Sequence, residues 1–248
     1  MDAGWKDLFS RQAASYARFR PTYPPALFDW LASVTSTRRV AVDVGAGNGQ
    51  AAQALAAHFE RVIALEPSAA QLANAPSFDR VVFQRGAAEA TGLEEAAAGL
   101  LVAAQAFHWF DHAAFFAEVK RVVRPGGTLA IWCYAIAAIT PEVDAVVHEL
   151  YQAILGPYWE PERRLVETGY ATVAVPFPAM EAPSFEMRLE WSFEQLLGYL
   201  TTWSSRERYL RETGKDPLQP LLGRLETVWA GAATRPVTWP LFVRAFRV

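Results

Sequence analysis

The stretch Val40-Ala41-Val42-Asp43-Val44-Gly45-Ala46-Gly47-Asn48-Gly49-Gln50 constrains this chain more than any other. Five residues of apolar, β-branched-rich strand run into three glycines at alternate positions, and an alanine-rich segment of helical composition, residues 51–58, follows at once. Strand, tight turn and helix start together make a ligand cradle. Glycine reaches positive φ cheaply and lets a ligand lie against bare backbone, and the helix start offers unpaired N–H groups behind it. Asp43 stands inside the apolar strand, where a carboxylate is costly unless satisfied. It is expected to accept N–H bonds from the glycine turn or to approach a cationic part of the ligand.

Four more apolar runs read as strands: Arg61–Glu66, Arg80–Gly86, Gly99–Gln105 and Thr128–Cys133, with helical stretches between them. Near-continuous apolar strands in this alternation predict a parallel sheet covered on both faces. Arg124-Pro125-Gly126-Gly127 reads as a turn between a helix and the fifth strand. Ahead of the glycine strand, Phe9, Ala13, Tyr16, Phe19 and Arg20 have helical spacing, a proline-rich bend follows, and a second helix is expected over Pro25–Val34. Past Thr140 the alternation stops. The expected elements there are a helix around Val143–Leu155, a loop at Gly156–Pro161, a half-exposed strand at Phe185–Trp191, a helical tract from Phe193 to Trp229 and a last strand from Trp239 to Val248.

A length of 248 residues bounds the chain at one or two domains. The formal charge of -3 and the lack of a lysine/arginine cluster count against nucleic acid as a partner. No apolar run approaches the roughly 20 residues of a membrane span, and the first residues lack a basic-then-apolar leader, so no membrane association and a cytoplasmic location are expected. The single cysteine, Cys133, and four scattered histidines give neither a disulfide framework nor metal-ligand spacing, so no metal is expected. Nine tryptophans exceed what a core of this size asks for and point to an apolar pocket or an interface.

The glycine turn alone admits a dinucleotide fingerprint, a sulfonium-nucleoside loop or a plain strand-helix connection. The dinucleotide pattern wants its third glycine one place later, where Gln50 stands, and that disfavours a nicotinamide cofactor. Glu66 ends the second strand about 20 residues past the glycines, where an acid accepts hydrogen bonds from both hydroxyls of a ribose; the alternative is a surface carboxylate at the start of the next helix.

The motifs Val42–Gly49, Leu65-Glu66-Pro67-Ser68, Gly86-Ala87-Ala88-Glu89, Ala104–Asp111 and Arg124–Gly127 resemble, in order, those of class I S-adenosylmethionine-dependent methyltransferases, over about the first 135 residues. Tyr16 with Arg20–Pro24, His108-Trp109-Phe110-Asp111 and the late Leu197–Ser204 are similar to the small-molecule branch that includes trans-aconitate methyltransferase-like proteins. The resemblance implies an α/β, Rossmann-like, doubly wound sheet of seven strands, mostly parallel with an antiparallel last strand, plus helical cap insertions. It implies one methyltransferase domain over 1–248, with a helical arm over the cofactor (1–36), a cofactor-binding half (37–139), substrate-side helices with one strand (140–230) and the last strand (238–248).

The same resemblance implies S-adenosylmethionine as cofactor. Gly45, Gly47 and Gly49 would pass its methionine and ribose parts, Glu66 would hold the ribose hydroxyls, Ser68 and Gln71 would lie near the nucleoside, and Ala88 with Glu89 would line the adenine edge. Gln105 and Ala106 would face the methionine moiety, with His108 and Trp109 near the transferred methyl and Tyr16 and Arg20 closing over it. Two places depart from the pattern: Ala87 and Gly99 stand where many relatives have acids. His108 is either a general base or a residue that orients its loop. Arg20 is the first candidate to hold a carboxylate substrate. Tyr158, Trp159, Tyr199, Trp203 and Arg206 are the late residues to weigh for substrate choice against ordinary packing. The expected activity is O-methylation of a small-molecule carboxylic acid by a monomer or weak homodimer. A nicotinamide-dependent oxidoreductase and a methyltransferase-shaped protein that binds without turnover are the alternatives.

Overall fold

A computed structural model describes residues 19–248. The helix expected over residues 9–20 lies outside them except for its last residues, and Tyr16 is among those not described. The described chain begins in effect with α1 (Pro25–Val34), which has proline at its first turn, buries Leu27, Phe28, Leu31 and Ala32, and ends at an extended Thr35. It then alternates: β1 (Val40–Val44), α2 (Gln50–Leu55), β2 (Arg61–Glu66), α3 (Ala69–Ala73), β3 (Val81–Arg85), β4 (Ala98–Ala104), α4 (His112–Val122) and β5 (Val123–Tyr134). The later part carries α5 (Pro141–His148), α6 (Arg163–Glu167), β6 (Ala179–Met180), β7 (Phe185–Trp191), α7 (Phe193–Thr201), α8 (Ser204–Thr213), α9 (Leu222–Trp229) and β8 (Arg235–Arg247).

One sheet holds the strands in the order β3-β2-β1-β4-β5-β8-β6, with β7 also paired to β8. Strands β1 to β5 are mutually parallel, and β8 runs antiparallel to β5, β6 and β7. This is the doubly wound α/β sheet with an antiparallel last strand. The strand number is eight rather than seven because the two-residue β6 shares the far edge of β8 with β7.

Period-two alternation sends successive residues of each central strand into different layers. Ala41, Leu100, Val102, Ala130 and Trp132 enter the core under α1, α2 and the late helices. Val42, Val44, Leu101, Ala103, Leu129 and Ile131 enter the second core, with Phe115, Phe116 and Val119 of α4. The surplus of indole is spent in the first layer: Trp191 and Trp239 meet at 4.7 Å between ring centroids, Tyr199 lies 5.8 Å from Trp239, and Trp203 continues to Tyr151 and Trp159.

Some boundaries differ from the sequence reading for local reasons. Arg124–Gly127 lies within the range of β5 instead of forming a separate turn. The ladder with β4 shifts register between Ala98 and Leu100, Gly126 has φ +74°, and its N–H donates to Val248 O at 2.7 Å. The tract from Phe193 to Trp229 is three helices, because Thr202 ends α7 and Gly214, at φ +70°, ends α8. The helix over 143–155 passes at Glu149 into a π-helical run, Glu149–Ile154. The last strand begins at Arg235, since β7 pairs with it from Trp191–Arg235 to Phe185–Leu241. Among the described residues no helix is long and apolar enough to cross a membrane.

Gly49 shows how packing and backbone fix the same residue. It caps α2 with φ +80°, and a Cβ there would run into the Phe83 ring of β3. Gly49→Ala is therefore expected to cost about 2 kcal/mol from strain and overpacking. That lowers the thermal midpoint by about 4–8 °C at this chain length; an unchanged midpoint in a calorimetric scan would show that Phe83 yields freely.

Candidate active site

The carboxyl ends of the parallel strands meet where the strand order reverses between β1 and β4, the place where open α/β sheets bind ligands. A cavity of about 260 Å³ opens there. Its floor is the glycine turn, and its walls are Glu66, Pro67 and Gln71 after β2, Ala87 to Glu89 after β3, Ala104 to Ala106 with Trp109 and Phe110 after β4, Tyr134 at the end of β5, and Arg20 with Tyr23 from the N-terminal segment.

The turn is closed by backbone. Gly45 and Ala46 donate to Leu65 O at 2.9 and 3.0 Å, which ties it to the end of β2. Gly45 has φ +68°, and a Cβ on it would lie 2.7 Å from Ala106 Cβ, so the loops after β1 and β4 touch and only glycine fits between them. Glu66 is 5% exposed and holds two loops together: Oε2 accepts from Gly47 N–H and Oε1 from Ser68 N–H, both at 2.9 Å. A carboxylate oxygen accepts more than one hydrogen bond, so this strut also has the chemistry to meet a ribose hydroxyl.

Asp43 is the least comfortable group in the cavity wall. It is 1% exposed, and neither carboxylate oxygen has a hydrogen-bond partner. Burial, offset in part by the nearby Ala52 amide and reinforced by the charge of Glu66, raises its pKa from 3.8 to about 7. A buried, orphaned carboxyl beside an acid is a site that a cation completes. This fits the ammonium or sulfonium of S-adenosylmethionine, with Glu66 fitting its ribose.

The other expected residues divide. Arg20, Gly47, Gln71, Ala88, Glu89, Gln105, Ala106 and Trp109 line the same cavity as Asp43, Gly45 and Glu66. Gln105 arrives differently from expectation. Its φ is +55°, and its side-chain amide pairs with the backbone of Tyr134, Nε2 donating to Tyr134 O at 3.2 Å and Oε1 accepting from Tyr134 N–H at 2.9 Å. Its polar head thus fixes the ends of β4 and β5. Glu89 spends Oε1 on Asp111 N–H, at the cap of α4.

Three expected residues do not reach the cavity wall: Gly49, Ser68 and His108. Gly49 is demanded by Phe83 and by its own φ, and Ser68 Oγ caps α3 by accepting from Gln71 N–H. His108 is 7% exposed, its Nδ1 lies 3.0 Å from the Tyr170 hydroxyl, and burial with the nearby charge of Arg163 lowers its pKa to about 3. An imidazole kept neutral and engaged by Tyr170 has the geometry of the loop-orienting alternative, and the ring lies outside the cavity wall. Tyr158 packs on Tyr209, and Arg206 is paired with Asp216 at 2.5 Å.

Phe110, expected with Trp109 as an aromatic wall, lines the cavity, whereas the sequence reading did not single out Tyr23, Tyr134 or Asn48 for it. Gln50 also lines it, and its Nε2 donates to Pro21 O at 3.0 Å, strapping the N-terminal segment to the glycine turn.

A twisted parallel sheet with a cation-seeking, ribose-accepting cavity at its switch point defines a class of nucleoside-binding α/β enzymes. Within it, residues 42–131 match the family model described as a methyltransferase domain. A protein of Dictyostelium discoideum whose name calls it a methyltransferase is 34% identical over 245 residues, 96% of this chain and 93% of its own. A solved structure of a type II methyltransferase from Anaeromyxobacter dehalogenans is 46% identical with a TM-score of 0.86, covering 92% of this chain and 98% of that one. An uncharacterized methyltransferase of Mycobacterium tuberculosis is 36% identical over 124 residues, half of each chain. The chain belongs to the S-adenosylmethionine-dependent methyltransferase family, and the nicotinamide and non-catalytic readings fall away with that.

Because the folded pKa of Asp43 lies above its ordinary value, stability is lost as pH rises from about 4 to 7 and stays lost above it. The difference of about three units amounts to about 4 kcal/mol. Asp43→Asn should therefore be little different from the native chain at pH 4 and relatively more stable at pH 8, while binding S-adenosylhomocysteine at least about tenfold more weakly at pH 8, as loss of a charge-assisted contact demands. Urea midpoints and calorimetry at both pH values check this; a pH-independent effect of the substitution would place the titration elsewhere.

Proposed function

We propose that this enzyme transfers the methyl group to a carboxylate oxygen of a small organic acid. The observation that carries the reading is Arg20. Its guanidinium lies on the cavity wall, 5.2 Å over the Tyr199 ring, with Nη1 donating to the Tyr134 hydroxyl at 3.3 Å and Nη2 to Thr202 O at 3.2 Å. These contacts aim the guanidinium along the wall, where its planar fork suits a carboxylate. The resemblance of Tyr16, Arg20–Pro24 and His108–Asp111 to the trans-aconitate methyltransferase-like branch supports the same class of acceptor.

S-adenosylmethionine supplies an electrophilic methyl group whose sulfur loses its positive charge as the group leaves. Asp43 would hold the cationic end of the donor, Glu66 its ribose, and Ala88 with Glu89 the adenine edge. Trp109, Phe110 and Tyr23 make that part of the wall aromatic; they would exclude water from the acceptor oxygen and offer the sulfonium a cation–π contact. A carboxylate is already a nucleophile at neutral pH, so alignment and desolvation suffice and no base is needed. Arg20 would grip the acid from the side of Tyr134 and leave one oxygen to react.

On this reading the described part of the expected arm, residues 19–36, lies on the cofactor side and 140–230 form the substrate side. Two bonds support it: Gln50 to Pro21 O on the donor side, and Arg20 to Thr202 O on the cap side. The acceptor is a small molecule, without nucleic acid or membrane, and the enzyme works as a monomer or weak dimer.

Arg20→Gln is expected to raise the acceptor KM about 10- to 100-fold, the worth of a charge-assisted hydrogen bond, with the affinity for S-adenosylhomocysteine changed far less. Equal losses in both would assign Arg20 to the donor's own carboxylate. With methyl-labelled donor and a metabolite extract, the product should release labelled methanol in mild alkali; an alkali-stable label would overturn ester formation.

A further inference from the structure

Past Tyr134, which walls the donor cavity, the chain continues through Ala135 and Ile136 into a second cavity of about 910 Å³. Its far side is built by the π-helical run and the loop around Pro157 and Trp159. The feature that sets it apart is Arg163, at the start of α6.

The Arg163 guanidinium lies 4.9 Å from the centroid of the Trp159 ring and 5.6 Å from that of Tyr151. Its Nε donates to the Tyr151 hydroxyl at 3.0 Å, and that hydroxyl donates to Glu167 Oε1 at 2.7 Å. Trp159 is fixed in turn, its indole N–H donating to Tyr151 O at 3.1 Å. Among the described residues no carboxylate lies within ion-pair distance of Arg163, and neither terminal nitrogen carries a hydrogen bond. The half-buried cation is thus held rigid by two rings and a hydroxyl while its forked end remains uncommitted. That is the condition in which a guanidinium binds an oxyanion with little further loss of side-chain freedom.

We propose that Arg163 is the anchor of a carboxylate-binding subsite in this second cavity, taking the non-reacting acidic end of the methyl acceptor. Its role in catalysis rests on the small-acid acceptor reading above; its binding of an anion does not. A monoanionic carboxylate is favoured over a phosphate, because Glu160 and Glu167 line the same cavity and repel a dianion more strongly. The aromatic faces of Tyr151 and Trp159 beside the cation suit an acid with a flat apolar body.

The test uses the full chain saturated with S-adenosylhomocysteine and titrated with benzoate. The ¹⁵N resonance of Arg163 Nε, identified by its loss in Arg163→Gln, and the indole resonance of Trp159, identified in Trp159→Phe, are the two reporters. Support is a saturable millimolar shift of both with benzoate, none with the neutral isostere benzamide, weaker binding of phenyl phosphate, and benzoate affinity about tenfold lower in Arg163→Gln with S-adenosylhomocysteine affinity unchanged. No saturable shift, or an equal one with benzamide, overturns the subsite; tighter phenyl phosphate binding overturns the carboxylate assignment; competition between benzoate and S-adenosylhomocysteine returns the anion to the donor cavity. Since binding is read directly, a failure of methyl-ester formation would appear in the product assay and leave this result unaffected.

Discussion

One carboxylate, Glu66, decides the shape of the donor cavity. It ends β2 and reaches back across the switch point to the Gly47 amide while gripping the Ser68 amide on its own strand's exit loop. Two backbone donors, which burial would otherwise leave costly, are satisfied by a side chain that also lines the ligand space. The glycine turn can then stand open to solvent or ligand without its own internal ladder. Gly45 against Ala106 completes the arrangement by removing the room in which the turn would shift.

Charge in the cavity is segregated. Asp43 and Glu66 sit under the glycine turn, with desolvation penalising the first, while Arg20 lies over Tyr199 and bonds to Tyr134, on the side of the late helices. In a low-dielectric cleft such separation selects the orientation of a zwitterionic or bifunctional ligand more than it adds affinity. The aromatic sequence from Tyr199 through Trp203 to Tyr151 and Trp159 then joins the region of Arg20 to that of Arg163 by packed rings, 5.9, 5.6 and 4.9 Å between successive centroids. The surplus of tryptophan noted in the composition is spent largely on this wall and on the core behind it.

The sequence made the strands legible where apolar runs are bounded by charge or turn residues: α1, β2 and β7 fall on the residues expected. It placed the cavity correctly because glycine spacing and strand-end acids are local facts. It did not separate side chains that enter the cavity from those that brace it. Gly49, Ser68 and His108 stand in the right loops, yet the first yields to Phe83, the second to a helix cap and the third to Tyr170. The Ser68 cap is local, three residues long, but Phe83 and Tyr170 are brought in by tertiary packing, Tyr170 from 62 positions away. Tyr134 was hidden for the same reason. Nothing in a buried strand's pattern reveals that its last side chain turns into a ligand space.

Gln50 entered the sequence reading as a missing glycine. In the fold its amide instead fastens Pro21 to the lip of the turn. A glycine at this position would restore the close helix–strand packing of the dinucleotide pattern and would remove this tie on the segment carrying Arg20 and Tyr23. The departure from the dinucleotide pattern and one fastening of the leading segment are therefore carried by the same side chain.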